Sequence, residues 1–585
     1  LNADGDVETS TCCANTATEH DMMGRLMVDS VVTWATEYKV DGFRFDLMGH
    51  HSLDNMLEVR AALDALTLAE DGVDGSAIYI YGEGWNFGEV ANDARFLQAT
   101  QLNMGGTGIG TFSDRLRDAV RGGSPFDGGT DRITNQGFIN GLVYDPNAQA
   151  YPTATAEAEM LLSADQIRVG LAGNMAAYEI EAADGVVRRG DEIDYNGSPT
   201  GYTEDPQENI VYISAHDNET LFDISQYKHP LDTSTADRTR AQNLGMDLTA
   251  LAQGVNFFHA GVDMLRSKSL DRDSFNSGDW FNRLDFTYQS NNWAVGLPVA
   301  SKNQSEWPTM QPFLADPSLA PDPADVAASK AHLQEILEIR GSSPLFRLET
   351  ASQVQERLAF HNTGPAQTQG LIVMSLSDEV GVDLDPDRHE IVVLFNATDD
   401  PQDFVIPAAA GEPFWLHPVQ RFSADPVVAS SEFEETTGTF SVPGRTTAVF
   451  VHSTTRGAFG EVLAALAGLP VDDNHLDKVI DYLEELLTSD WWLDGDTLDP
   501  AFKNTAFNEL RKAVLELSKL KNLGSAEQEV VDEAILRLTS EARLMAERAL
   551  AAAIAGGGDP KEIDAAETDL AKAEDDLAAG REDKA

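Results

Sequence analysis

Cysteine is nearly missing from this sequence of 585 residues: there are two, adjacent, as Cys12-Cys13. Two neighbouring cysteines cannot build a metal site alone. A vicinal disulfide between them is strained, and two free thiols fit equally well, so the redox compartment stays open. Basic residues are scarce too, with 41 Lys and Arg against 97 Asp and Glu, a formal net charge of −56. That imbalance excludes nucleic acid and anionic membranes as expected partners. The acids are spread along the chain, which reads as a heavily solvated surface, as in a salt-tolerant protein. No window of about 18 apolar residues occurs, which excludes a transmembrane helix. The start, L-N-A-D-G-D-V-E, has neither a basic region nor an apolar core, so no signal peptide is visible. It also lacks Met and is expected to be internal to a longer protein.

What is present suffices for several cores. Hydrophobic residues make up 42% of the chain, with eight Trp, and the length suggests two to four domains. Met23, Leu26, Met27, Val31 and Trp34 recur at helical spacing, so 19–39 is expected to be an amphipathic helix. Val40 to Phe45 reads as a short buried strand, 54–67 as a helix and 77–82 as a strand. Further on, Asn209 to Ser214 and Gly254 to His259 read as strands, with helices over 236–252 and 326–340. Strands alternating with helices imply a parallel sheet covered on both faces.

From about 345 the texture changes to L-I-V-M-S-L, I-V-V-L-F-N and T-A-V-F-V-H, separated by Pro, Gly and Asp turns. This reads as an antiparallel β domain, a sandwich, with Gly444-Arg445 turning its last hairpin. From about 456 the pattern is helical. Ser525 with Gln528, and Asp559-Pro560 with Glu562, resemble capping boxes. Val531, Ile535, Leu538, Ala542 and Met545 share one helix face.

Three strands of the α/β part end in carboxylates. V-D-G-F-R-F-D puts Arg44 and Asp46 two apart, on one face of the strand. Y-G-E-G-W-N-F ends in Glu83, and I-S-A-H-D-N ends in His216 and Asp217. Singly, each is more often a helix cap or turn residue. Together, at the C-terminal ends of parallel strands, they would converge on one mouth and repel one another, which points to function. A retaining glycosidase uses such a set: a nucleophilic carboxylate and a second carboxyl acting as acid and then base, about 5–5.5 Å apart. Arg44 would support the nucleophile. Apolar cover from Trp85 and Phe87, with acidic neighbours, would keep a proton on Glu83. Gly82 and Gly84 would allow a sharp turn and leave room for a bulky leaving group.

In this order, V-D-G-F-R-F-D, G-E-G-W and H-D-N resemble three of the four signature regions of the α-amylase superfamily, glycoside hydrolase family thirteen. D-G-F-R-F-D-L-M-G-H-H, Y-G-E-G-W-N-F-G-E-V, the stretch 106–123 and R-S-K-S-L-D-R-D-S-F-N-S-G-D-W-F-N-R-L-D at 266–285 resemble type I pullulanases and limit dextrinases. The resemblance covers roughly residues 1–455. It implies that Asp46 is the nucleophile, Glu83 the acid/base and Asp217 the transition-state stabiliser. It implies further that Arg44 and His216 orient nucleophile and glucose, and that Trp85 stacks near the leaving group. Asp279 and Arg283 would grip a second glucose, although their spacing also suits a surface ion pair.

The family's first signature region is absent, and the first three barrel strands with it. The expected fold is therefore multidomain α/β. An incomplete (β/α)8 barrel lacking its first strands spans 1–344, an all-β sandwich 345–455 and an all-α extension 456–585. An open barrel would expose strand edges, so the chain alone is expected to be poorly active and its parent enzyme active. The expected reaction is retaining hydrolysis of α-1,6 branch linkages in pullulan, amylopectin or limit dextrins. An α-1,4-acting amylase or transglycosylase, or an inactive glucan-binding fragment, is the alternative. The chemistry requires no cofactor. The family often binds structural calcium, and V-D-L-D-P-D at 382–387 offers oxygen ligands without matching an EF-hand. The expected partner is a branched α-glucan, with a monomer favoured. An extracellular or cell-surface setting is favoured over the cytoplasm.

Overall fold

A computed structural model describes residues 4–11, 13–149, 153–499 and 501–578. Cys12 lies outside the described residues, so the vicinal pair is not defined there. The chain divides into two compact units. One comprises 1–375, 393–403 and 441–448, the other 376–392, 404–440 and 449–585.

The first unit is organised by a five-stranded sheet. Its strands are β1 (Gly42–Phe45), β2 (Tyr79–Gly82), β3 (Gly110–Phe112), β4 (Asn209–Val211) and β5 (Val255–Asn256), in the order β1-β2-β3-β4-β5. Every neighbouring pair is parallel, with Phe45 opposite Gly82, Gly82 opposite Thr111 and Ile210 opposite Val255. Parallel strands need crossovers. Helix α1 (Asp21–Tyr38) precedes β1, α2 (Leu53–Asp64) lies between β1 and β2, α3 (Asp114–Arg121) and α4 (Thr153–Leu171) between β3 and β4, α5 (Leu221–Lys228) and α6 (Thr235–Ala250) between β4 and β5, and α7 (Pro323–Gly341) follows β5.

Their ends are written in local chemistry. Ser52 caps α2 by accepting from Asn55 N at 3.1 Å, Thr220 caps α5 from Asp223 N at 3.1 Å, and Ser234 caps α6 from Asp237 N at 3.1 Å. Each hydroxyl satisfies an orphan amide of a first turn, worth about 1 kcal/mol. Asp223 and Asp237 also place negative charge at the positive ends of α5 and α6.

Two expectations change here. Strand β1 is not buried: its four residues are intermediate or exposed. On α1, Val31 is buried, but Leu26 is 61% exposed and Trp34 49%. The helical period is right, yet the apolar face lacks full cover among the described residues. Trp34 and Tyr38 pack on each other instead, with ring centroids 4.4 Å apart.

The β-rich stretch holds β6 (Leu358–Phe360), β7 (Leu371–Ser377), β8 (Arg388–Asn396), β9 (Gln402–Val405), β10 (Trp415–Leu416), β11 (Glu432–Glu434), β12 (Thr439–Val442) and β13 (Thr446–Ser453). Five of these form a sheet in the order β6-β7-β8-β13-β10, and three another in the order β9-β12-β11. The division between units runs through these strands. Arg445, at the turn before β13, takes a left-handed φ of 48°.

The second unit continues as α8 (Thr455–Ala467), α9 (Asn474–Leu486), α10 (Lys503–Leu517), α11 (Ser525–Ala555) and α12 (Pro560–Ala578). Phe459, Leu483, Trp492, Leu510 and Leu538 share its core. Val531 and Met545 are buried beside Leu538, with Ile535 and Ala542 packed against the same cluster. Gly524, rather than Ser525, caps α11: Gln528 N donates to Gly524 O at 3.0 Å. Asp559 does serve α12, accepting from Lys561 N at 2.8 Å.

Leu483 is wholly buried and Ile554 is 51% exposed. Leu483→Ala is expected to cost about 2–5 kcal/mol, by lost burial plus a cavity. Ile554→Ala should stay within about 0.5 kcal/mol. Urea unfolding followed by circular dichroism separates the two.

Candidate active site

The site grows from the ends of β1, β2 and β4. Arg44 lies within β1 and Asp46 directly follows it. Leu47, next in line, takes a left-handed φ of 49°, a region unfavourable for a branched residue. That conformation aims its N–H at Glu83 Oε2, 2.8 Å away. Glu83 leaves β2 by pairing its own backbone with β1 and the turn after it: its N donates to Phe45 O at 3.1 Å, and its O accepts from Gly49 N at 2.9 Å.

The flanking glycines are demanded by close backbone. A Cβ on Gly82 would stand 2.6 Å from Phe45 O, and one on Gly84 would stand 2.8 Å from Gln101 N. Any side chain there would push the two strand ends apart. Gly49 is tighter still, with Trp85 O at 2.1 Å from a Cβ position.

Arg44 ties the carboxylates together. Its Nη1 reaches Asp46 Oδ1 at 2.5 Å and its Nη2 reaches Glu83 Oε1 at 3.0 Å. The guanidinium also lies over the Phe112 ring, 5.7 Å from its centroid. Phe112 is the hub of an aromatic floor, edge-on to Tyr212 at 5.2 Å and to Phe257 at 5.1 Å. Tyr81 and Trp85 pack against the same cluster.

The environments of the acids differ. Glu83 is 7% exposed, whereas the Asp46 side chain is 69% exposed and the Asp217 side chain 54%. Burial pushes the Glu83 carboxyl up from its ordinary value. The Leu47 amide and Arg44 act against that rise, while Asp46 and Asp217 add to it. His216 Nε2 stands 3.6 Å from Asp217 Oδ1.

A cleft of about 900 Å³ opens here, lined by Arg44, Glu83, Trp85, His216 and Asp217. Asp46 stands beside the cleft through its bond to Arg44. Asp279 and Arg283 lie outside its lining, both exposed, at the start and just past the end of the short helix Asp279–Asn282. No ion pair joins them among the described residues. The lining also includes Arg121, Tyr195 and the 87%-exposed Phe126, which sequence reasoning did not single out. Arg121 falls inside the stretch 106–123 already quoted for its resemblance, but a buried arginine carries no signal in period or spacing.

At 382–387 the acidic loop is occupied internally. Asp378 accepts from Leu384 N at 2.9 Å and from Asp385 N at 2.7 Å, and Asp385 pairs with Arg388 at 3.6 Å. Among the described residues no group of three or more His, Cys, Asp or Glu is placed to hold a metal ion. Nor is any of their helices long and apolar enough to cross a membrane.

The raised Glu83 carboxyl has a consequence for stability. Its folded-state pKa lies above the unfolded value, so its contribution is fully present below the ordinary Glu range. That contribution is lost as pH rises through the folded value. Glu83→Gln, which cannot ionise, should therefore equal or exceed the native chain in thermal stability at pH 7. The difference should shrink below about pH 4.5, near the ordinary Glu pKa. Melting curves at both pH values check this.

Comparison with known proteins gives one direction. Residues 288–453 match the family model of pullulanase-type alpha-1,6-glucosidases, C-terminal. Pullulanase 1, chloroplastic, of Arabidopsis thaliana is 49% identical over 459 residues, 77% of this chain and 47% of that protein. The pullulanase of Klebsiella pneumoniae is 40% identical over 447 residues, 76% of this chain and 39% of that protein. A crystal structure of the maltotriose complex of PulA from Klebsiella pneumoniae superposes with a TM-score of 0.72 at 39% identity. It covers 77% of this chain and 47% of its own. The chain thus spans about half the length, or less, of these relatives.

Proposed function

We propose that this chain, whose sequence matches the C-terminal region of type I pullulanases, carries the catalytic end of an α-1,6-glucan debranching hydrolase. The observation that carries the reading is the single guanidinium of Arg44 bonded to both Asp46 and Glu83. Two carboxylates held by one guanidinium stand close together. Retaining glycosidases need about 5–5.5 Å between them, and inverting ones about 6.5–9.5 Å.

On this reading Glu83, half of a pair with one carboxyl buried and one exposed, keeps its proton and gives it to the glycosidic oxygen. Asp46 attacks the anomeric carbon and forms a glycosyl-enzyme. Glu83, now ionised, takes a proton from water, which releases the sugar with its configuration retained. Asp217 holds sugar hydroxyls as charge develops, while His216 and Arg44 orient the glucose and the nucleophile. Trp85 gives the leaving-group side a stacking surface. Asp279 and Arg283 enter only as the grip on a second glucose beyond the cleft. The substrate is a branched α-glucan, and the two-carboxylate mechanism calls on no cofactor.

The sheet supports the fold behind this reading. Five parallel strands in chain order, with carboxylates at the C-terminal ends of β1, β2 and β4, suit an arc of a (β/α)8 barrel. We take 1–344 as that arc, 345–455 as a sandwich domain and 456–585 as a helical accessory extension. Strands on the outer side of β1 would cover it, together with the exposed apolar face of α1.

Pullulan is the discriminating substrate. Cleavage of its α-1,6 linkages yields maltotriose, whereas an α-1,4-acting enzyme yields other products. Both this chain and any longer protein its gene encodes are to be assayed. Glu83→Gln should lower kcat about 10²- to 10⁴-fold, the usual worth of a general acid. Asp46→Asn should remove turnover and keep maltotriose binding, read by calorimetry. If the unsubstituted proteins bind and never cleave, the glucan-binding reading replaces hydrolysis.

A further inference from the structure

The segment leaving β4 carries His216 and Asp217 at an exposed apex and ends at Thr220, the cap of α5. Its shoulders are buried: Ser214 and Glu219 are each 2% exposed. Both shoulders are tied to one side chain. Arg121, the last residue of α3, donates from Nη1 to Ile213 O at 3.2 Å and from Nη2 to Glu219 O at 3.1 Å. A planar guanidinium with donors in a fixed fork closes the loop at its neck.

Arg121 is well held for this task. It is 6% exposed. Its own carbonyl accepts from Lys228 Nζ at 2.9 Å and from Asn140 Nδ2 at 3.0 Å. Burial and the neighbouring Arg117 lower its pKa to about 10, which leaves it charged at neutral pH.

The apex has a second tether. Lys268 Nζ donates to His216 O at 2.8 Å, while Lys268 N donates to Asp223 Oδ2 at 2.8 Å. Asn218, next to Asp217, has a left-handed φ of 59°. A non-glycine residue keeps such a conformation only where its surroundings fix it. Glu219 adds a buried ion pair to Arg132 at 3.3 Å.

We propose that Arg121 is a positioning residue for the proposed reaction: it clamps the neck of the 213–219 loop and so holds His216 and Asp217 toward Glu83. It acts through two backbone carbonyls. The inference rests on the debranching reading for its catalytic consequence, but the clamp itself has an independent readout.

Hydrogen–deuterium exchange is measured on peptides covering 213–219 in the full chain, native, Arg121→Ala and Arg121→Lys. In R121A, protection there should fall about tenfold or more, as charged hydrogen bonds are lost. R121K, with one ammonium for two acceptors, should fall between. In the same proteins kcat on pullulan should drop about 100-fold in R121A, the cost of about 1 Å of misplacement, with KM changing far less. Unchanged exchange over 213–219, or a loss confined to KM, overturns the proposal. If R121A does not fold, R121K decides: a rise confined to 213–219 supports the clamp, and a uniform or absent rise overturns it. If neither this chain nor any longer protein its gene encodes cleaves pullulan, the debranching reading fails and the exchange result still decides the clamp.

Discussion

One arginine, Arg44, sets the terms for the rest of the site. Three carboxyl groups, those of Asp46, Glu83 and Asp217, stand at the ends of β1, β2 and β4 of one sheet, and their mutual repulsion has to be offset. Arg44 does so by bonding Asp46 and Glu83 at once. Its position is fixed in turn by the parallel register of β1 against β2, which sets Phe45 opposite Gly82. The aromatic floor meets the guanidinium on one face, with the Phe112 centroid 5.7 Å away. The strained turn at Leu47 gives Glu83 an amide partner while leaving it buried. Burial raises the Glu83 carboxyl while the Leu47 amide and Arg44 work against that rise, and Asp46 stays exposed, so a single cation serves two unequal acids.

The carboxylates were legible in the sequence because each terminates a β-rich run and stands beside glycine, arginine or histidine. Other parts were not legible. Strand β3 has three residues, too short for any period to declare itself. Residues 110–112 were quoted for resemblance without being read as a strand. On α1 the period placed Trp34 inward, but whether a helical face is covered depends on neighbours distant in sequence. The capping box at Ser525 failed by one residue because Gly524 could take the cap conformation. Glycine at 82 and 84 shows in the sequence, but the close approach of Phe45 and Gln101 that demands it shows only in the fold. Arg121 was invisible for a plainer reason: a clamp on two carbonyls six residues apart exists only once the loop is folded.

The acidic composition, −56 in net charge, sits apart from this chemistry. The paired acids of the site have internal cations, while most of the excess is solvated surface. Surface charge of one sign opposes compaction and is relieved by salt. The buried arginines around the cleft mark where positive charge is concentrated instead: Arg115, Arg117 and Arg121 all lie on the single helix α3 and are each under 10% exposed.

In the double displacement proposed here, Asp46 and Glu83, joined by Arg44, act as nucleophile and acid. Proton NMR of the first sugar released from pullulan reads that directly, before mutarotation mixes the anomers. The new reducing end is expected to appear as the α-anomer. Initial release of the β-anomer would contradict it, since that requires a single displacement by water and a wider separation of the two carboxylates.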